Sequence, residues 1–133
     1  MKPTLQSGLA RTEQIVVDRP RSIDFMGDEC RVYATPELIR DIESCSRRLL
    51  SEHLDAGEES VGTRVAVDHL AATPLGMRVD ISVSVTRVEG RKVTLLIECR
   101  DPVDRVATGE HQRFIVDLAT TLKRLQTKTA QVR

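Results

Sequence analysis

Glu43 and His69 stand out because their spacing sets each of them among apolar neighbours. From Leu38 onward, Ile39, Ile42, Cys45, Ser46, Leu49 and Leu50 recur at helical spacing. At about 100° per residue, these positions and Leu54 form one sector, while Glu37, Arg40, Asp41, Arg47 and Arg48 fall opposite, as a solvated face should. Glu43 does not join that solvated face. It projects about 140° from Leu38, between Leu50 and Leu54, where a carboxylate is costly unless it has partners or a task. The plain alternative is a flank residue that bends out to water. His69 ends an alternating run and shares the parity of Val61, Thr63, Val65 and Val67, so it reads either as a hydrogen-bonded core histidine or as a proton carrier. A carboxylate and an imidazole together are the equipment of hydrolysis: one activates water or a hydroxyl, and the other returns a proton to the leaving group.

Three further residues admit two readings each. Thr35, followed by Pro36, suits a helix N-cap with Pro at the first helical position. The same helix start also points unbonded N–H groups outward, where they can hold a polarised carbonyl oxygen. Gly62 permits close backbone approach or marks a bulge. Arg113 could bind an acyl group or a phosphate, or lie on the surface.

The elements that must carry these residues are legible from the period of the pattern. Residues 11–18 read as a short strand, and 19–34 as a loop with room for a helical turn. The spacing predicts a helix over 36–54, stopping before Gly57. Beyond it the period becomes two. Strands are predicted over 60–70, 77–88, 92–100 and about 105–119, with turns at Pro74–Gly76, Gly90 and Asp101–Asp104. Strand, helix and a four-strand meander imply an α+β domain in which an antiparallel sheet of about five strands wraps one long helix, the hotdog arrangement. Residues 1–133 are expected to form one such domain, with 1–10 and 120–133 as flexible or partner-contacting tails.

Composition narrows the function. Twenty basic and twenty acidic residues cancel, and one Tyr, two Phe and no Trp offer no platform for stacking bases, so nucleic acid is not an expected partner. No run approaches the ~20 apolar residues of a membrane span, and Met1–Arg11 lacks a secretory pattern, so a cytoplasmic protein is expected. Three scattered cysteines and three scattered histidines suggest neither a disulfide framework nor a metal site.

Several segments are similar to a known family: Val32-Tyr-Ala-Thr35 followed by Glu43, Glu59-Ser-Val-Gly62-Thr63, Val67-Asp-His69-Leu-Ala-Ala-Thr-Pro74, Val88-Glu-Gly90-Arg and Gly109-Glu-His111-Gln-Arg113. Together they resemble the fluoroacetyl-CoA thioesterases, a family of hotdog proteins, from about residue 10 to 118. The resemblance implies hydrolysis of a small acyl-CoA thioester by a Thr35, Glu43 and His69 triad, with Gly62 and Arg113 near the acyl group. It also implies a homodimer, or a pair of such dimers, with sites at the subunit interface, and no cofactor beyond the coenzyme A carried by the substrate. Glu29 stands where the family's aromatic lid would be. The competing reading is a hotdog protein that binds acyl-CoA without cleaving it. A hydratase-like site is disfavoured because Asp68 and His69, adjacent in a strand, point to opposite faces.

Overall fold

Alternating Val, Ile and Leu give each strand one face that must leave water, and a helix with one apolar stripe gives that face its cover. The computed structural model, which describes residues 1–132, is built in this way. The chain runs β1 (Ala10–Val16), a 3-10 turn (Asp28–Cys30), α1 (Thr35–Ser51), β2 (Glu58–His69), β3 (Arg78–Glu89), β4 (Lys92–Arg100), β5 (Arg105–Asp117) and α2 (Leu118–Ala130). All five strands pair antiparallel in one sheet, with α1 packed against β1, β2 and β3 on its inner face. This is the expected hotdog arrangement, although at 17 residues α1 is a helix of moderate length.

The core lies between α1 and the inner face of the sheet. Leu38, Ile42, Cys45, Leu49 and Leu50 of α1 meet Val79, Ile81, Val83 and Val85 of β3 and Val93, Leu95, Ile97 and Cys99 of β4. Each fully buried aliphatic side chain contributes about 1.5–3 kcal/mol. Burial pushes the Cys45 thiol up to about 11 and Cys99 up to about 12, so both remain protonated packing residues.

Two expectations are corrected. The four-strand meander is a three-strand one, because the sheet order is β1-β3-β4-β5-β2 and β2 crosses to pair with β5 at the far edge. The parity of β2 also breaks at a bulge between Gly62 and Arg64. Val61, opposite Phe114, therefore faces outward, while Gly62, Val65, Val67 and His69 face the side of α1. Both ends of the chain carry structure of their own. The Met1 amino group pairs with Asp55 and Glu58, and Leu5 is buried. Residues 118–130 form α2, capped by the Asp117 carboxylate, which accepts from the Thr120 N–H. Asp117 therefore ends the last strand two residues sooner than expected. Among the described residues no helix is long and apolar enough to cross a membrane.

At Gly109 the strands β5 and β2 leave no room for a side chain, since an added Cβ would lie 2.1 Å from the Ala66 carbonyl oxygen. Gly109→Ala is expected to destabilise the protein by about 3 kcal/mol, the upper range for overpacking, measured by urea unfolding. A loss below about 0.5 kcal/mol would contradict this close approach.

Candidate functional site

Two clusters contain the residues singled out by sequence, and each is built on α1 and β2. The first lies at the start of α1. Ala34, in extended conformation, is the N-cap, so Thr35 and Pro36 occupy the first two helical positions. The expectation that Thr35 caps the helix is thus corrected: its hydroxyl makes no cap bond and is left free for other work. It lies 2.8 Å from Nδ1 of His69, at the end of β2. The Leu38 N–H already donates to the Ala34 carbonyl and Pro36 has no N–H. The Thr35 and Glu37 amides are the unpaired donors that a helix start leaves pointing outward.

The His69 ring is held in place from several sides. Tyr33 is buried and meets it edge-on, with ring centroids 6.2 Å apart. The Tyr33 hydroxyl donates to Asp41, which Arg21 grips through Nε at 2.9 Å and Nη2 at 3.1 Å. Burial raises the Tyr33 pKa above its ordinary value and lowers that of His69 below 6.5, with the Ala71 backbone opposing the latter weakly. His69 is therefore neutral at pH 7. Its Nε2 is closed to solvent, with no partner within hydrogen-bond distance among the described residues. With the Thr35 O–H donating to Nδ1, the ring's own proton is assigned to Nε2. A cleft of about 340 Å³ opens over this pair and is lined by Ile23, Phe25, Val32, Tyr33, Leu70 and Ala72 among others. Phe25, 80% exposed, stands over it from the loop before α1. Glu29, the residue at the expected lid position, lies in the 3-10 turn.

The second cluster surrounds Glu43, two helical turns further along α1. Its carboxylate is half-exposed and 3.8 Å from Nη1 of Arg113, which is 4% exposed. Arg113 is thus no surface residue. Its Nε and Nη2 donate to the hydroxyl and carbonyl of Ser60, and its Nη1 lies 3.2 Å from Nε2 of His111. His111 was not singled out by its sequence position, yet it is fully buried. Its Nδ1 lies 2.8 Å from the Arg64 carbonyl and donates to it, so Nε2 presents a lone pair to Arg113. Burial depresses the pKa of both His111 and Arg113, and the Glu43 charge opposes the shift in each. Gly62 is where Glu43 comes to rest: a Cβ there would meet Glu43 Oε2 and His111 Cε1, each at 3.2 Å. Its role is room for a carboxylate.

Thr35 and His69 are therefore in contact within one chain, and Glu43, Gly62 and Arg113 are together within one chain. The two groups are not brought to each other. His69 lies seven residues beyond Gly62 along β2, about 23 Å at the rise of a strand.

A sequence profile of the fluoroacetyl-CoA-specific thioesterases matches residues 17–119. The fluoroacetyl-CoA thioesterase of Streptantibioticus cattleyicolor is 29% identical over 136 residues, spanning 97% of this chain and 98% of that protein. Among solved structures, a single-residue mutant of the fluoroacetyl-CoA-specific thioesterase FlK superposes with a TM-score of 0.86 at 27% identity, covering 96% of this chain and 99% of that one. A thioesterase superfamily member from Thermus thermophilus gives 0.85 at 25% identity, covering all of both chains.

Buried neutral histidines make a signed prediction. The unfolded chain binds protons on His69 and His111 near pH 6.5, and the folded chain only at lower pH. Stability contributed by the neutral rings is complete above that range and is lost as pH falls below about 6.5. Proton–nitrogen NMR titration should place both folded midpoints below 6.5 and find His69 protonated on Nε2. A midpoint above 7 for either ring would contradict the burial argument.

Proposed function

Because the chain belongs to the fluoroacetyl-CoA-specific thioesterase family, and so is an acyl-CoA thioester hydrolase, we propose that it uses Thr35 as nucleophile, His69 as its base, and Glu43 supplied by a second subunit. The carrying observation is the 2.8 Å approach of the Thr35 hydroxyl to Nδ1 of a buried, neutral His69 at a helix N-terminus. The thioester carbonyl would lie over the start of α1, its oxygen held by the free amides there. Thr35 Oγ attacks the carbonyl carbon and its proton passes to His69. The C–S bond then breaks, and the departing thiolate takes that proton. Glu43 then takes a proton from a water molecule whose oxygen attacks the acyl–threonine carbonyl; the ester C–O bond breaks, the acid leaves, and the proton passes from Glu43 back to Thr35 Oγ. Side chains and water suffice for these steps, so no cofactor is required beyond the coenzyme A of the substrate, and the cytoplasm is the expected setting.

The dimer in this proposal follows from the free edge of β2. A 12-residue strand with one unpaired edge favours pairing with another strand. Two copies of β2 paired antiparallel about Ala66 set Val65 opposite Val67 of the partner subunit and Arg64 opposite Asp68 of the partner subunit, a match of opposite charges on the outer face. The bulge at Thr63 then advances the register by one residue. Gly62 falls opposite His69 of the partner subunit, with both on the face of α1. Glu43, resting on Gly62, would so come within side-chain reach of the partner's His69 and Thr35. Centring the pair on Val65 instead would leave Arg64 opposite an alanine and His69 opposite Ser60.

The small cleft and the Arg113 cluster suit a short acyl chain. A thiol-release assay over acyl-CoAs of increasing length should show hydrolysis that favours the shortest. Tight binding with no thiol released would leave only an acyl-CoA holder. Thr35→Ala and Glu43→Gln should each lower kcat at least about 100-fold. Mixing and reassociating the two inactive variants should recover about a quarter of wild-type activity, since half the dimers are then mixed and each carries one intact site. No recovery would sink the shared site. Gly62→Ala should lower kcat about tenfold or more by displacing Glu43 while leaving the fold intact by circular dichroism, and an unchanged kcat would remove Gly62 from the site.

A further inference from the structure

Helix α2 is left uncovered by its own chain. Of its residues only Thr121 is even partly buried. A free helix of 13 residues is marginal in water, so this one needs a surface to lie on. Leu118, Leu122 and Leu125 recur at i, i+4 and i+7 and are 51%, 56% and 57% exposed. Lys123, Arg124 and Lys128 surround this stripe, and the helix has no acidic residue.

A matching surface lies around the Thr35–His69 cleft. Phe25 and Leu70 line it and are exposed, and the segment before α1 carries the exposed carboxylates of Asp24 and Glu29, while its Arg19 and Arg31 are taken up by Asp28. Within one chain the two surfaces are far apart. Helix α2 begins beside Glu58, where the Leu118 N–H donates to the Gly57 carbonyl, and the cleft rim follows His69, eleven residues or about 36 Å along β2. Helix α2 is itself only about 20 Å long. Pairing of β2 about Ala66 changes this, because it sets Gly62 opposite His69 of the partner subunit and carries the four residues back to Glu58 past the end of the partner's strand, toward its rim. We propose that α2 of each subunit lays its leucine stripe on the cleft rim of the other and so forms an outer wall of the acyl site, its basic residues facing the Asp24 and Glu29 carboxylates. The occupant of the stripe is thus a second copy of this chain, and the inference rests on the paired-strand reading above.

The test uses the full chain with Cys30→Ser, which removes the one exposed thiol and leaves buried Cys45 and Cys99. Leu70→Cys and Leu122→Cys are made singly and together and treated with a short bismaleimide. The double variant should give a covalent dimer and the singles should not. Crosslinking of Leu122→Cys alone would mean that α2 pairs with α2, which overturns the proposal. A double variant that sediments as a dimer but does not crosslink overturns it while sparing the paired strands. A monomer at all concentrations sinks both. As a second readout, Leu122→Asp with Leu125→Asp should keep the dimer and raise KM for a short acyl-CoA about tenfold with kcat little changed; an unchanged KM would also overturn the proposal.

Discussion

An edge strand with a single bulge governs this molecule. Strand β2 must satisfy β5 on one side while leaving its other side open, and the extra residue at Thr63 lets it change parity midway. Without the shift, Gly62 and His69 would face opposite sides of the sheet, because seven residues separate them and strand parity is two. With it, both face α1. The Glu43 carboxylate can then rest on the glycine at one end of β2 while Thr35 holds the imidazole at the other. On α1, Thr35 and Glu43 are eight residues apart, a little over two turns and about 12 Å, and each meets β2 through its own side chain.

The cost of this arrangement falls on Arg113. A guanidinium 4% exposed is expensive unless its donors are matched, and here they are met by the Ser60 hydroxyl and carbonyl, the His111 ring and the Glu43 carboxylate. His111 can accept only because its other nitrogen is committed to the Arg64 carbonyl, a carbonyl freed for that purpose beside the bulge. The irregularity that sets the faces of β2 thus also sets the tautomer of the histidine that supports Arg113, which in turn holds Glu43.

What the sequence made legible follows from the range of the forces involved. Helix α1, the alternation of β3 and β4, and the turn at Gly90 depend on near neighbours, and they stand close to where period and turn chemistry put them. Glu43 was visible as a carboxylate out of place, and His69 as an imidazole at a strand end. Position along the chain did not reveal that β2 crosses to the far edge, because alternation does not record which strand pairs with which. The bulge was hidden as well: Val61 and Thr63 fit a regular strand as well as a broken one, and Gly62 allowed either reading. His111 was missed because its signal is the bond to the Arg64 carbonyl across the β2–β5 pair, together with its approach to Arg113 two residues along β5. The Thr35 reading failed by one residue of helix phase, since Ala34 took the cap and released the hydroxyl.

Division of the site between two halves also has an electrostatic logic. Each half is nearly self-satisfied before any assembly. Thr35 and neutral His69 carry no net charge, and Glu43 is offset by Arg113. Joining them therefore buries no isolated ion, which would cost several kcal/mol. What assembly would change is the exposure of Glu43, half-open to water in the single chain and closed in by the neighbouring subunit in the proposed pair. A carboxylate screened by water is a weak base for a bound water molecule, and the same group in a drier setting acts more strongly on it. In the proposed pair the partner subunit would supply both the carboxylate that the Thr35–His69 half lacks and the drier setting in which that carboxylate acts.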